Sequence, residues 1–310
     1  MKEKPHRTFL DRDAAAKAIA GGYGPQLDML TDMVNYASNL IPRAYNSGDK
    51  KLRDVIVCFV LLKQFASMVD AVEVLARAGA VHAAFVPARV AFESSLYLEW
   101  MLASDGEKKA AYFFVADVRA DRAFAERLAK GGDASSTFFR EMGQIGTDAA
   151  AKYPTMEADA RNQIAAADRL LARPEFAEAN AAFEAMRGKP EWYRALGKPN
   201  IRAIAEELMR LPEYNIYYRK GSEVVHSSAY THHVAFARSG AFSHPVRNLA
   251  DAHTLFNNVS QSAMLTFTRT LAFYRPRELG AFGRKYMEDW RAAFTRVPLA
   301  RIVSPLRKRS

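Results

Sequence analysis

Between Asp49 and Ala78 apolar residues recur at Val55, Phe59, Leu62, Ala66, Val69 and Leu75. Steps of three and four from Val55 through Val69 place those five on one face of a helix. Asn46-Ser47-Gly48-Asp49 reads as the turn before it, with Asp49 as N-cap and Gly79 as the C-terminal stop. About thirty residues of helix reach roughly 45 Å. A helix of that length buries its stripe best against others like it, which points to a bundle.

The flanking sequence supplies such partners. A first helix is expected over 11–20, ended by Gly21-Gly22, and a second over 25–41, opened by Pro25 and closed by Pro42. The segment 81–103 is the most apolar, with Phe85, Phe92, Leu96 and Trp100 on one side and Pro87 near its start. Further helices are expected over 107–130, 200–210, 213–230, 247–274 and 279–296, with a loop over 231–245. From Asp133 to Asn200 the texture changes to alanine, charge and short pieces broken by Pro154, Pro174, Pro190 and Pro199. Period-two alternation does not recur. The expected fold is all-α: a long-helix bundle with a helical insertion. Residues 1–310 form one helical domain with a core over about 25–130 and 200–296, an insertion over 133–200 and a basic tail over 297–310.

Apolar residues make up 49% of the chain, enough for a sizeable core. Cys58 is the only cysteine, so neither an internal disulfide nor a cysteine-based zinc site can form. The charged start, Met1-Lys2-Glu3-Lys4, does not read as a secretory leader. No charge-free apolar stretch is long enough for a transmembrane segment, and the expected location is a bacterial cytoplasm. Much of the net charge of +10 sits near the end, where Arg291, Arg296, Arg301, Arg307, Lys308 and Arg309 stand without an acid. Such a tail can contact nucleic acid or an anionic surface.

Gly21-Gly22-Tyr23-Gly24 lacks the Lys-Ser/Thr of a phosphate loop, and neither a Gly-x-Ser-x-Gly elbow nor a His-Glu-x-x-His pair occurs. Four of the seven histidines, His226, His232, His233 and His244, fall close together. Glu93, His226 and one of the pair His232 and His233 compose a candidate metal set if the helices meet, but adjacent histidines seldom ligate one ion, and neither metal nor cofactor is expected.

The sharper candidate is Tyr218-Arg219-Lys220-Gly221-Ser222-Glu223-Val224-Val225-His226. An Arg followed by four to six residues and a His resembles the motif of the HEPN superfamily. Its members are small helical proteins, many of them metal-independent ribonucleases of toxin and phage-defence systems. The resemblance implies RNA as substrate and a homodimer that brings two motifs together. Arg219 would bind the scissile phosphate, His226 would move the proton, and Ser222 and Glu223 would orient them. A second resemblance spans about 55–120 and 214–274. Arg89-Val90-Ala91-Phe92-Glu93 and Tyr218-Arg219-x-x-Ser222-x-x-Val225-His226 are similar to the paired motifs of an uncharacterised bacterial helical family without a settled activity.

Arg219, Ser222 and His226 lie three and four apart and share a helix face, as do Arg89 and Glu93. If the two helices pack, Arg89, Glu93, Arg219, Ser222 and His226 can meet as a polar cluster inside an apolar bundle, and Arg89, Glu93 and Tyr218 are the candidate binding residues. Three readings follow. In one the cluster is an RNA-cleaving site. In another it is a hydrogen-bond network that fixes helix register in a non-enzymatic interaction or ligand-sensing protein. In the third it is a pocket for a small anion or nucleotide.

Overall fold

In the computed structural model, residues 3–129, 133–143, 149–186, 188, 190–228, 230–237 and 240–299 are described. The described chain is all-α apart from one two-stranded hairpin. It divides into two compact units, residues 105–203 and the remainder.

In the larger unit, α1 runs from Arg12 to Ser47 as one kinked helix, not the two expected. Gly21-Gly22 does not stop it. The break is local, at Tyr23 with φ −134°, and Pro25 and Pro42 are carried inside the helix. Asp11 caps its start by accepting from the Ala14 N–H. Helix α2, Leu52–Arg77, contains a π-helical stretch, Ile56–Leu62. That wider winding shifts the phase of the apolar stripe. Val57, Cys58, Leu61 and Leu62 turn inward, while Phe59, expected in the core, is 41% exposed and lies against Tyr45. The cap also differs: Asp49 precedes Lys50 at φ 63°, and Lys51 takes the N-cap position. Gly79, at φ 75°, ends the helix as expected, and a Cβ there would lie 2.7 Å from Ala15 Cβ.

By length and composition α2 could cross a membrane, although no uninterrupted charge-free stretch does. About half of its most apolar window is buried, and it packs on α1 and on α3, Val81–Ala103. α3 in turn packs on α11, Ala252–Tyr274. Leu27, Leu30, Leu62, Phe65, Phe85, Phe92, Phe256 and Phe267 fill the space between these helices. Each such side chain contributes about 1.5–3 kcal/mol on burial. The Cys58 thiol lies in this core, and burial pushes its pKa up to about 12, so it is unreactive.

Buried ionic groups have partners. Asp54 accepts from Tyr274 Oη at 2.9 Å and from Arg53. Arg210, 4% exposed, donates to Ser95 Oγ at 2.8 Å and Glu213 Oε2 at 2.6 Å, and lies 3.3 Å from Glu99. Arg269 donates to the same Glu99.

The second unit contains α4, Gly106–Leu128, α5, Asp133–Gly143, α6, Ala149–Leu171, and α7, Ala177–Glu184. Helix α4, grouped with the core from the sequence, clusters here, so the unit begins before the expected insertion. Trp192 and Tyr193 are buried, and Trp192 meets Phe113 edge-on at 5.3 Å, as loop-pinning aromatics. Helix α8, Ile201–Glu207, leads back to the larger unit.

After α8 comes α9, residues 211–225, with a π turn at Tyr214–Tyr218 followed by Arg219–Val225. The expected loop over 231–245 is instead a short helix α10, Tyr230–His233, and an antiparallel hairpin of β1, Val234–Ala237, and β2, Gly240–Ser243. The last helical segment, α12, covers residues 279–295 and winds through a π turn at Tyr286–Trp290. Just beyond it Pro298 accepts from Tyr23 Oη at 2.8 Å. The basic tail from residue 300 onward lies outside the described residues.

Candidate functional site

Helix α9 lies against α3, and a glycine makes the contact. A Cβ built on Gly221 would fall 2.6 Å from Arg89 Cβ and 2.8 Å from the Phe85 carbonyl oxygen. Only a residue without a side chain fits that approach. Tyr217, on the same side, is buried and donates to Gln261 Oε1 at 2.8 Å.

This contact splits the expected cluster. Tyr218 reaches back to α3: Arg89 donates to its Oη at 2.8 Å, and the guanidinium lies 4.3 Å from its ring centroid. Arg89 also donates to Glu93 Oε1 at 3.0 Å. Tyr214 stacks on Tyr218 at 4.8 Å and extends the group. Burial acts to lower the Arg89 pKa, but Glu93 and Tyr218 outweigh it and hold it above the ordinary value. Burial and Glu93 together raise Tyr218. Arg89, Glu93 and Tyr218 therefore meet as a half-buried set.

Arg219, Ser222 and His226 do not join it. Successive helical residues turn by about 100°, so Arg219 and His226 stand opposite Gly221 and point away from α3. The Arg219 side chain is 79% exposed, and its Nε lies 3.6 Å from Glu223 Oε1. Ser222 is half-buried and His226 exposed. The enclosed cluster of the sequence reading is thus corrected to an internal Arg89/Glu93/Tyr218 set and an outward Arg219/Ser222/Glu223/His226 face. Ile216, 52% exposed, borders that face.

His226 closes the helix. Its N–H bonds to the Ser222 carbonyl, Ser227 N–H to Val224 O, and Ser228 N–H to Glu223 O. This is a Schellman ending, in which the left-handed position usually belongs to glycine. Here Ser227 occupies it at φ 53°.

A second polar group gathers beside α9, and sequence reasoning found only part of it. His82, at the start of α3, lies 4.7 Å from His232 and 5.2 Å from His233, ring centre to ring centre. His232 Nδ1 is 3.0 Å from Asp251 Oδ2. Lys220 pairs with the same carboxylate. The bunching of His232 and His233 was visible in the sequence. His82 lies 150 residues away and carries no local signal. Burial lowers the pKa of His82, and the neighbouring imidazoles lower it further. Burial also lowers that of His232, against the pull of Asp251. No group of three or more His, Cys, Asp or Glu side chains among the described residues is placed to hold a metal ion.

In the smaller unit, α4, α6 and α7 border a cleft of about 470 Å³. Its arginines are engaged: Arg119 donates to Asn180, and Arg122 to Asp168 and Glu126.

Comparison with known proteins gives one family. A family of unknown function (DUF5677) matches residues 55–240. The match takes in both Arg89–Glu93 and Tyr218–His226, in agreement with the expectation of an uncharacterised family. No curated protein and no solved structure matches the chain.

Proposed function

We propose, from the premise that the chain belongs to the DUF5677 family of unknown function, that it is a HEPN-like, metal-independent ribonuclease of a toxin or phage-defence system. The observation that carries this reading is the outward face of α9. Arg219, Glu223 and His226 share it, and Arg219 is 79% exposed, so a polyanion can reach the guanidinium. The chemistry needs little else. Arg219 stabilises charge on the scissile phosphate. The substrate's 2′-oxygen attacks phosphorus, the bond to the 5′-oxygen breaks, and a 2′,3′-cyclic phosphate forms. The 2′-hydroxyl loses a proton and the leaving oxygen gains one. His226 serves one of these transfers, and the copy in a second subunit serves the other. Ser222 and Glu223 orient the pair. Exposed Ile216 beside this face suits a two-fold contact across it.

The test compares wild type with His226→Ala for cleavage of single-stranded RNA and for growth arrest on expression. Loss of both in the variant, at unchanged melting temperature, is expected because His226 is exposed. No cleavage and equal growth for both proteins would sink the reading.

A second reading rests on Arg89, Glu93 and Tyr218. Arg89 bonds both Glu93 of its own helix and Tyr218 of α9, as in a register lock of a non-enzymatic interaction or ligand-sensing protein. It expects disruption of this set to lower stability, and RNA to survive incubation with the wild type.

A further inference from the structure

The histidine group beside α9 calls for a role of its own. Three imidazoles from two distant parts of the chain face one another: His82 from α3, and His232 and His233 from α10. Lys220 of α9 and Asp251, just before α11, adjoin them and neutralise each other. Glu223 of α9 is the other acid felt by His232. Among the described residues no group of three or more His, Cys, Asp or Glu side chains is placed to hold a metal ion. The arrangement leaves a polar atom unsatisfied. His82 Nδ1 is buried and has no hydrogen-bond partner among the described residues. Such an atom is costly unless something bonds to it.

Asp251 beside His232 Nδ1 holds a proton on that nitrogen and leaves Nε2 to accept another. Neutral imidazoles this close repel when protonated, and Lys220 adds to the repulsion. An oxyanion among them reverses the balance, since it rewards each proton taken up. His233 is exposed, so the group can be reached from solvent. Lys220 follows Arg219 in α9, so the same turn of helix serves this group and the outward face.

We propose that His82, His232 and His233 form a proton-coupled subsite for a phosphate of the RNA backbone, next to the one held by Arg219. The ligand class rests on the ribonuclease reading, whereas the protonation behaviour does not.

The experiment uses the full chain and two probes that do not titrate between pH 6 and pH 8. One is sulfate. The other is a 2′-O-methyl oligoribonucleotide, which cannot be cleaved because it lacks a free 2′-hydroxyl. Affinity for the oligonucleotide should rise from pH 8 to pH 6, by up to about tenfold per pH unit for each proton taken up. Imidazole NMR signals of His82 and His232 should titrate at higher pH when either probe is bound. His82→Gln and His232→Gln should flatten the pH dependence. Arg219→Ala should weaken oligonucleotide binding at every pH without changing the slope. An unchanged slope in both histidine variants overturns the subsite. So does acid-induced release of α10 that neither probe prevents. A response to sulfate alone overturns the link to RNA. None of these readouts depends on cleavage: an inactive protein that binds the oligonucleotide in this way defeats the ribonuclease reading and keeps the subsite.

Discussion

Gly221 and Arg89 touch backbone to side chain, with room for no more than a hydrogen where a Cβ would stand 2.6 Å from Arg89 Cβ. The contact decides which face of α9 looks inward. Replacing glycine by alanine in a helix normally gains up to about 1 kcal/mol. Here the Phe85 carbonyl, only 2.8 Å from the new Cβ, belongs to the backbone of α3 and cannot rotate away. Gly221→Ala should therefore lower stability by about 1–3 kcal/mol, as overpacking does. Urea unfolding of the variant, compared with Gly280→Ala, where nothing lies within 4 Å, measures this directly.

Tyr218 holds Arg89 in two ways, through its hydroxyl and through its ring. Tyr218→Phe removes the first and leaves the second. The guanidinium keeps Glu93 as partner, so the expected loss is about 1 kcal/mol, the net worth of one hydrogen bond. Tyr218→Leu removes both and should cost more, by an amount typical of a cation–π contact, about 0.5–1 kcal/mol. Equal losses in the two variants would show that the ring contributes nothing.

The parts of the fold that follow local rules were readable in advance. The span Val81–Ala103 agrees with its apolar run, and Gly79 stops the helix before it. Phe59 was misplaced because a π turn changes the residue count per turn, which a fixed 3.6 period cannot register. The hairpin at 234–243 escaped notice because its four-residue strands are too short to show alternation and carry no Asn-Gly turn. For the site, spacing put Arg219 and His226 on one face but could not say which way it pointed. The signal was Gly221, the one position in that motif able to approach a neighbouring backbone. The join of His82 to His232 and His233 comes from tertiary packing and has no local trace.

Ser227 occupies a left-handed conformation at φ 53° directly after His226. For a residue with a side chain this costs about 1–2 kcal/mol. Ser227→Gly removes the strain but adds flexibility to the unfolded chain, so a net gain of about 0.5–1 kcal/mol is expected. Thermal melting reads it. On the ribonuclease reading, strain that aims His226 makes the stabler variant the slower one in RNA cleavage.

Arg210 lies buried between Glu99 and Glu213 and also bonds Ser95. Arg210→Ala leaves both carboxylates short of a partner, with Arg269 alone still bound to Glu99. Breaking one side of a buried ion pair typically costs about 3–5 kcal/mol. Arg210→Met fills the space without the charge and should recover little of that loss, because the acids remain. A circular-dichroism denaturation series over both variants separates lost packing from lost charge.

The histidine group sets how stability responds to acid. His82 and His232 both have pKa values below the ordinary imidazole value, chiefly through burial. The unfolded chain therefore takes up protons first, near pH 6.5. Stability tied to these neutral rings is complete above that pH and is lost as pH falls toward their folded values. Asp54 acts in a separate window. Its burial favours the neutral acid, but bonds from Arg53 and Tyr274 prevail and hold its pKa below the usual carboxylate value. Its contribution persists until pH drops below about 4. The urea midpoint should thus fall between pH 7.5 and pH 5.5, and His82→Gln should flatten that fall while leaving any loss below pH 4 in place. A midpoint that does not change across pH 7.5–5.5 in the wild type would mean the imidazoles are as easily protonated in the fold as outside it.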